Sequence, residues 1–301
     1  MFKTIVMFII LILFYACAYA GTAVDLLAES ISVRALGMGG AFTAIADSAA
    51  APASNTAGLA QLNSAEVMST SFSGFDGDVS RISLDIAYPA WDGVSGFNFI
   101  QEGIADIPYT RDNGSSQPEQ YGSFNSSYRC YNISYAREIV PAQTYAGGNI
   151  KYYSAELATG NASGFGIDAG IIHRLNPSLT LALSVKNILP VSLGWSTGHT
   201  DEIPLKVIAG AGYSLLLLGR DLLLGADMEL LVNNRPAALS YGAEYCVWQQ
   251  KNTNVSVRLG KNSLEQLTAG LGLVYNRFNL DYAYRNHDLG ASSQIAIGYR
   301  L

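Results

Sequence analysis

The sequence predicts an all-β protein: a transmembrane antiparallel β-barrel of about fourteen strands, preceded by an N-terminal hatch or plug segment. Three observations carry this. Residues alternate apolar and polar with a period of two over most of the chain. No stretch after the N-terminus is apolar for the ~20 residues that a spanning helix needs. Long connections alternate with tight turns. The last strands show the pattern best. Phe278, Leu280, Tyr282 and Tyr284 fall on one side of Phe278–Arg285, while Asn279, Asp281, Ala283 and Arg285 fall on the other. Ser293–Leu301 repeats it up to the final residue. A charged row opposite an aromatic and aliphatic row suits a wall that meets lipid outside and water or a polar plug inside.

Residues 1–20 read as a secretory signal. Lys3 gives the charge, Ile5–Phe14 the apolar core, and Ala18-Tyr19-Ala20 the small-x-small cleavage site before Gly21. The alternative is a lipobox at Phe14-Tyr15-Ala16-Cys17, which would lipidate Cys17. An exported chain with no spanning helix can enter a membrane only as a closed barrel, because every backbone polar group must be paired there. That places the protein in the bacterial outer membrane, with outer-membrane lipid as its surroundings.

Composition agrees. Charged residues are 14% and mean hydropathy is +0.18, while thirty Gly and eighteen Tyr suit walls that need clearance and side chains at the headgroup level. A net charge of −6 argues against nucleic acid as a partner. Beyond Cys17, only Cys130 and Cys246 occur. They are too few for a disulfide scaffold, and they lie on segments far apart around the ring, so they are expected to stay unpaired.

From Ala65 the barrel, residues 65–301, divides into segments. They run Met68–Phe75, Arg81–Tyr88, Val94–Gln101, Tyr128–Ala136, Tyr145–Tyr153, Phe165–His173 and Leu179–Asn187. The second half runs Leu205–Tyr213, Leu222–Leu230, Leu239–Val247, Val255–Gly260, Leu267–Tyr275, Phe278–Arg285 and Ser293–Leu301. The two longest gaps, Glu102–Ser127 and Ile188–Pro204, read as outer loops. Aromatics such as Tyr88, Trp91, Tyr135, Trp248, Tyr275 and Tyr299 gather at the tight turns, as an interfacial girdle does. The inward charges are Arg81, Asp85, Asp168, Lys186, Lys206, Asp227, Glu229, Glu244, Arg258, Asp281, Arg285 and Arg300. Their signs nearly balance, which predicts mutual pairing in the lumen rather than an ion-selective path. A soluble β-sandwich would leave these charges facing its core.

Residues 21–64 do not alternate. Asp25–Glu29 reads as a short helical turn, and the rest is rich in small side chains that can pass close to a wall. Gly37-x-Gly39 does not make a dinucleotide loop, because Phe42 stands at the third glycine position and no parallel βαβ unit follows. There is no Gly-x-Ser-x-Gly elbow or Walker loop, and His173, His199 and His287 form no local metal motif. The expectation is a protein that is not an enzyme and carries no cofactor or metal.

Arg34 to Asp47, followed by Asn55 to Ala60, resembles the N-terminal signature of the FadL-like outer-membrane β-barrel superfamily, and is most similar to its PorV/PorQ branch. Arg34, Gly37 to Phe42, Asp47, Asn55 and Ala57 to Leu59 match, whereas Ser48, Ser54 and Thr56 depart from the pattern. Lys186-Asn187-Ile188, Ile203-Pro204-Leu205 and Leu280–Tyr284 resemble later signatures of that branch. The terminal strand, with Tyr299 before Leu301, resembles the final strand of bacterial outer-membrane barrels. The resemblance implies a fourteen-stranded barrel closed by an N-terminal hatch. In one branch, hydrophobic molecules enter the lumen and leave sideways through the wall; in the PorV branch the barrel carries exported proteins. Two functions follow as expectations. One is passage of hydrophobic small molecules, long-chain fatty acids foremost. The other is a secretion-accessory role with secretion-machinery proteins as partners. Arg34, Gly37, Gly39, Gly40, Asp47 and Asn55 are the candidates for anchoring the hatch to the wall, simple charge pairing being the alternative for Arg34 and Asp47.

Overall fold

The computed structural model describes residues 32–301 except 113, 115, 116, 232–237, 263 and 287–289, and it leaves aside the side chains of residues 76 and 231. The signal segment, Cys17, Asp25–Glu29 and His287 lie outside the described residues. Among those described, sixteen strands follow a short N-terminal segment with three brief helical turns, Val33–Gly37, Ala51–Ala53 and Thr56–Gln61. They are β1 (Glu66–Gly74), β2 (Val79–Ala90), β3 (Gly93–Arg111), β4 (Glu119–Val140), β5 (Thr144–Leu157), β6 (Gly160–Arg174), β7 (Leu179–Lys186) and β8 (Val191–Trp195). Then come β9 (Thr200–Ile203), β10 (Lys206–Leu217), β11 (Arg220–Leu231), β12 (Ala238–Gln250), β13 (Thr253–Lys261), β14 (Leu267–Tyr275), β15 (Phe278–Arg285) and β16 (Ser292–Arg300).

Fourteen of these form a closed antiparallel barrel. Each pairs with its neighbours in chain order, except that β7 pairs with β10, and β16 returns to β1 with Glu66 opposite Arg300. The remaining two, β8 and β9, are a hairpin that touches β6 at Ala162 and Ser163. All fourteen segments expected from the alternation are present as ring strands.

The alternation is a division of surfaces. Outward side chains such as Ile82, Leu84, Ile86, Phe97, Ile133, Ile150, Phe165, Leu259, Tyr282 and Ile297 stay exposed. Inward ones such as Arg81, Asp85, Asn98, Lys151, Asp168, Asp227 and Arg258 are buried. An apolar outer band around a polar interior is the arrangement a lipid-facing barrel requires. At the end holding the C-terminus, called here the terminal mouth, strands join by tight turns. Trp91–Asp92 and Asn276–Arg277 each span two residues, with Trp91 (φ 56°) and Asn276 (φ 53°) in the left-handed region.

The far end corrects two expectations. Glu102–Ser127 is mostly strand: β3 has 19 residues and β4 has 22, so the hairpin rises well past the ring, whereas β15 has only 8. β2 stops pairing at Ile104 and β5 at Ser126, so residues 105–111 and 119–125 form a two-stranded ribbon with no other described strand paired to either edge. Its inner and outer faces are both wet, which removes the half-buried pattern used to recognise strands. Ile188–Pro204 contains β8 and β9, which at five and four residues are too short for their alternation to stand out in the sequence. This hairpin leaves the ring after a break at Asn187–Pro190, where Asn187 takes φ 51°.

Candidate functional site in the barrel lumen

The N-terminal segment meets the inner wall on most sides. Ser32 caps a five-residue helix, Val33–Gly37, by accepting a hydrogen bond from the Ala35 N–H (3.2 Å). Asn55 caps the 3-10 turn Thr56–Gln61 in the same way through Ala57 N–H (3.1 Å). Between and beside them, Met38, Ala41, Phe42, Asn55, Ala57 and Leu59 are fully or almost fully buried.

Inward glycines create the room. A Cβ at Gly225 would lie 2.5 Å from the Ala41 carbonyl oxygen, and one at Gly242 would overlap the Met38 backbone. At Gly147 a Cβ would approach the Thr56 carbonyl carbon to 2.9 Å, and at Gly260 it would overlap Gly39. The wall therefore touches main chain, which no larger residue allows.

Polar contacts then tie segment to wall around the ring. Arg34 donates from Nε and Nη2 to Glu244 of β12 (both 2.7 Å) and from Nη1 to Asp47 (2.7 and 2.9 Å). Burial alone would lower the Arg34 pKa, but the Asp47 and Glu244 carboxylates outweigh it and hold the guanidinium charged, with its pKa raised. Glu244 also accepts from Arg258, which donates to Asp281 (2.6 Å), so five alternating charges run from Asp47 to β15. On β11, Asp227 Oδ2 accepts from the N–H of Phe42 and of Thr43 (2.9 Å each) and from Thr43 Oγ1 (2.7 Å). Across the lumen, Asn98 Nδ2 donates to Ala49 O (3.1 Å) and Lys186 Nζ to Pro52 O (2.7 Å). Asn55 Nδ2 reaches Ile171 O of β6 (3.2 Å).

Of the six candidate anchors, Arg34 and Asn55 touch the wall directly, and Asp47 pairs with Arg34. Gly37 packs on Gly270, with a Cβ there 3.1 Å from its Cα. Gly39 and Gly40 take φ 69° and 86°, a left-handed turn that glycine adopts without strain. Sequence reasoning named Asp227 only as an inward charge. Asn98, which also meets the segment, was missed because an uncharged side chain on a long strand carries no signal. Glu102 and Lys151, also missed, complete buried ion pairs with Arg81 and with Asp168 (2.7 Å for the latter). Arg300 differs from its inward companions: it lies exposed at the terminal mouth.

Beyond the segment, toward the far end, the lumen wall turns apolar. Ile100, Cys130, Tyr153, Ala155 and Ala162 point inward from β3 to β6 and pack with Val191, Leu193 and Ile203 of the β8–β9 hairpin. Gly164 lets this hairpin lie against β6, since a Cβ there would meet Val191 at 3.0 Å. Beside the cluster, Lys151 lies over the Tyr153 ring (5.3 Å), donates to Asn187 Oδ1 (2.6 Å) and pairs with Asp168, which Lys186 approaches to 3.6 Å. Asn187 in turn donates to Pro204 O (3.3 Å), tying together the two ends of the hairpin.

A closed fourteen-stranded barrel with this interior has relatives among solved structures. The CymD monoaromatic hydrocarbon channel superposes with a TM-score of 0.55 at 14% identity, covering 92% of this chain and 98% of that one. A deltaS2 mutant of the TodX monoaromatic hydrocarbon channel gives 0.55 at 12%, covering 91% and 97%. A Pseudomonas aeruginosa FadL homologue gives 0.54 at 13%, covering 93% and 99%. These similarities establish the shared fold. No family model matches the sequence, and no curated protein is significantly similar to it.

Proposed function

We propose that this protein is a bacterial outer-membrane barrel that passes small hydrophobic molecules through a lumen gated by its N-terminal segment. The observation that carries the reading is the inward apolar cluster of Ile100, Tyr153, Val191, Leu193 and Ile203. A barrel wall already exposes apolar groups to lipid, and a purely structural lumen has no need of more. An apolar surface inside, covered by a hairpin with an irregular root, suits cargo that leaves water on entering. The shared fold with hydrocarbon channels supports the same class.

Within that class, long-chain fatty acids fit best. Two ammonium groups, Lys151 and Lys186, flank the single Asp168 carboxylate beside the apolar cluster. The excess positive charge suits an anionic head attached to an apolar tail. In this reading the segment is a hatch, held by Arg34, Asp227, Asn98 and Asn55.

The test is uptake of labelled oleate by proteoliposomes. Wild type should exceed empty vesicles, and Leu193→Asp, which places a charge in the cluster, should lower uptake about tenfold or more, the charge being costly to bury there. Uptake equal to that of empty vesicles would reject the reading.

One observation favours the secretion-accessory alternative: the ribbon at residues 105–111 and 119–125, whose edges, unpaired among the described strands, could accept a strand from an exported protein. Co-purification of a secretion partner, lost on deleting that ribbon, together with absent uptake would establish it.

A further inference from the structure

Two tight turns at the terminal mouth make a surface beside the N-terminal segment. Lys251-Asn252 joins β12 to β13, and Asn276-Arg277 joins β14 to β15. The turns are fastened side by side: Asn252 Nδ2 donates to Asn276 Oδ1 (2.8 Å), and the Asn276 N–H donates to the Asn252 carbonyl (2.8 Å). They border a groove of about 470 Å³. Asn254 and Val274 reach it from the inward face of their strands, in step with Arg258 and Gly272. The groove therefore opens on the lumen mouth and not on the lipid.

This groove is cationic. Lys251 and Arg277 line it, both exposed, among uncharged side chains and with no carboxylate. Among the described residues, neither forms an ion pair or a side-chain hydrogen bond. Arg34, Arg258 and Arg300 nearby each have a carboxylate instead: Asp47 and Glu244 for the first, Glu244 and Asp281 for the second, and Glu66 at 3.7 Å for the third. The chain carries the complement at the edge of the groove. Ser32, the first described residue, lines the adjoining cavity, which shares Asn254, Val274, Asn276 and Arg277 with the groove. Residues 21–31 precede it, and their only charged side chains are Asp25 and Glu29. Four positions apart, these carboxylates share one face of a helical turn. Glu29 is three residues from Ser32, a reach of at most ~10 Å, and Asp25 is seven, a reach of at most ~25 Å.

We propose that residues 21–31 dock across the terminal mouth as a strap, with Asp25 and Glu29 seated on Lys251 and Arg277. Two carboxylates meet two accessible cations that have no other partner among the described residues. The short tether at Ser32 holds the acids near the groove at an effective concentration of about millimolar or above. Exposed ion pairs are individually weak, so the strap depends on both together and yields to salt. It adds an outer latch to the mouth that the Arg34 clamp guards from within. A phospholipid headgroup is the other anion near an outer-membrane rim, and the inward aspect of the groove counts against it. The contact does not depend on what passes through the lumen.

Limited thermolysin digestion of the purified barrel in detergent micelles tests this. The protease cuts beside Leu26 and Leu27, intact mass reports the product, and each rate is divided by that of a free peptide of the same residues 21–31. Cleavage at low salt should be slow. It should quicken about fivefold or more at high salt, in the double variant Lys251→Glu with Arg277→Glu, and in Asp25→Lys with Glu29→Lys. Combining all four substitutions should restore slow cleavage, because the pairs re-form with their signs exchanged; damage to the turns alone would not be undone in this way. The wall substitutions lie in exposed turns, and heat-modifiable migration on gels shows that each variant is folded. A rate unchanged in Lys251→Glu with Arg277→Glu, or no recovery in the fourfold variant, would overturn the proposal. So would protection that phosphatidylglycerol abolishes at constant ionic strength, since lipid headgroups would then hold the groove.

Discussion

Arg34 and Glu244, 210 positions apart in sequence, face each other as a two-pronged pair, Nε and Nη2 each 2.7 Å from a different carboxylate oxygen. This geometry fixes both the angle and the depth at which the N-terminal segment enters the ring, because a guanidinium and a carboxylate meet this way in one plane only. Asp47 completes the clamp from the segment's own side.

Arg34→Ala should therefore loosen the segment more than it harms the ring. Glu244 would lose its partner on the segment side while keeping Arg258. Since the Arg34 side chain is 24% exposed, the expected loss is about 1–3 kcal/mol. Thermal unfolding in detergent should show a lowered midpoint, and planar-bilayer recordings should show added conductance. Arg34→Lys should recover little, because an ammonium cannot reproduce the fork.

Asp227 gives a second handle on the same segment. Its Oδ2 receives three hydrogen bonds from Phe42 and Thr43, so Asp227→Ala strands two backbone N–H groups. The cost should be about 2 kcal/mol or more. Hydrogen exchange should rise at the Phe42 and Thr43 amides while β11 amides stay protected. Equal loss of protection in both would mean that segment and ring open together.

Clearance at the wall can be tested without touching any charge. Gly225→Val would drive methyl groups into the Ala41 carbonyl and should displace the segment, raising its protease sensitivity. Gly194→Ala is the control. Nothing lies within 4 Å of the added carbon there, so its unfolding midpoint should match wild type.

Cys130 and Cys246 are both buried and are not joined in a disulfide. Maleimide should label neither in the folded barrel and both after denaturation. The non-reduced and reduced proteins should have masses that differ by no disulfide.

The ring was readable because each strand has two solvents to satisfy, lipid outside and polar groups inside. In Leu222–Leu230, Leu224 and Met228 face out while Asp227 faces in, and that contrast survives without any knowledge of the fold. The ribbon at residues 105–111 and 119–125 has water on both faces, so Tyr109 and Tyr121, which stack across it (5.6 Å), carry no alternation to detect. The pairings inside were hidden for another reason. Arg34 could be marked as a candidate from its motif, but its partner depends on how far β12 has turned around the ring. Glu102 looked like a loop residue until β3 proved long enough to set it beside Arg81.

The glycine contacts bear on how quickly the N-terminal segment could move. Where Met38, Ala41 and Thr56 press main chain against Gly242, Gly225 and Gly147, no interlocked side chains have to change rotamer before the surfaces part. Alanine and glycine also lose no side-chain freedom on docking, so little rotational entropy changes hands in either direction. Resistance to sliding therefore comes from elsewhere: from the discrete hydrogen bonds and from the side chains of Phe42, Ile45 and Leu59 packed in the core they share with the wall. A bearing that is smooth along its glycine tracks and toothed only at a few places moves as soon as those teeth disengage, and the tracks guide it back to the same seat.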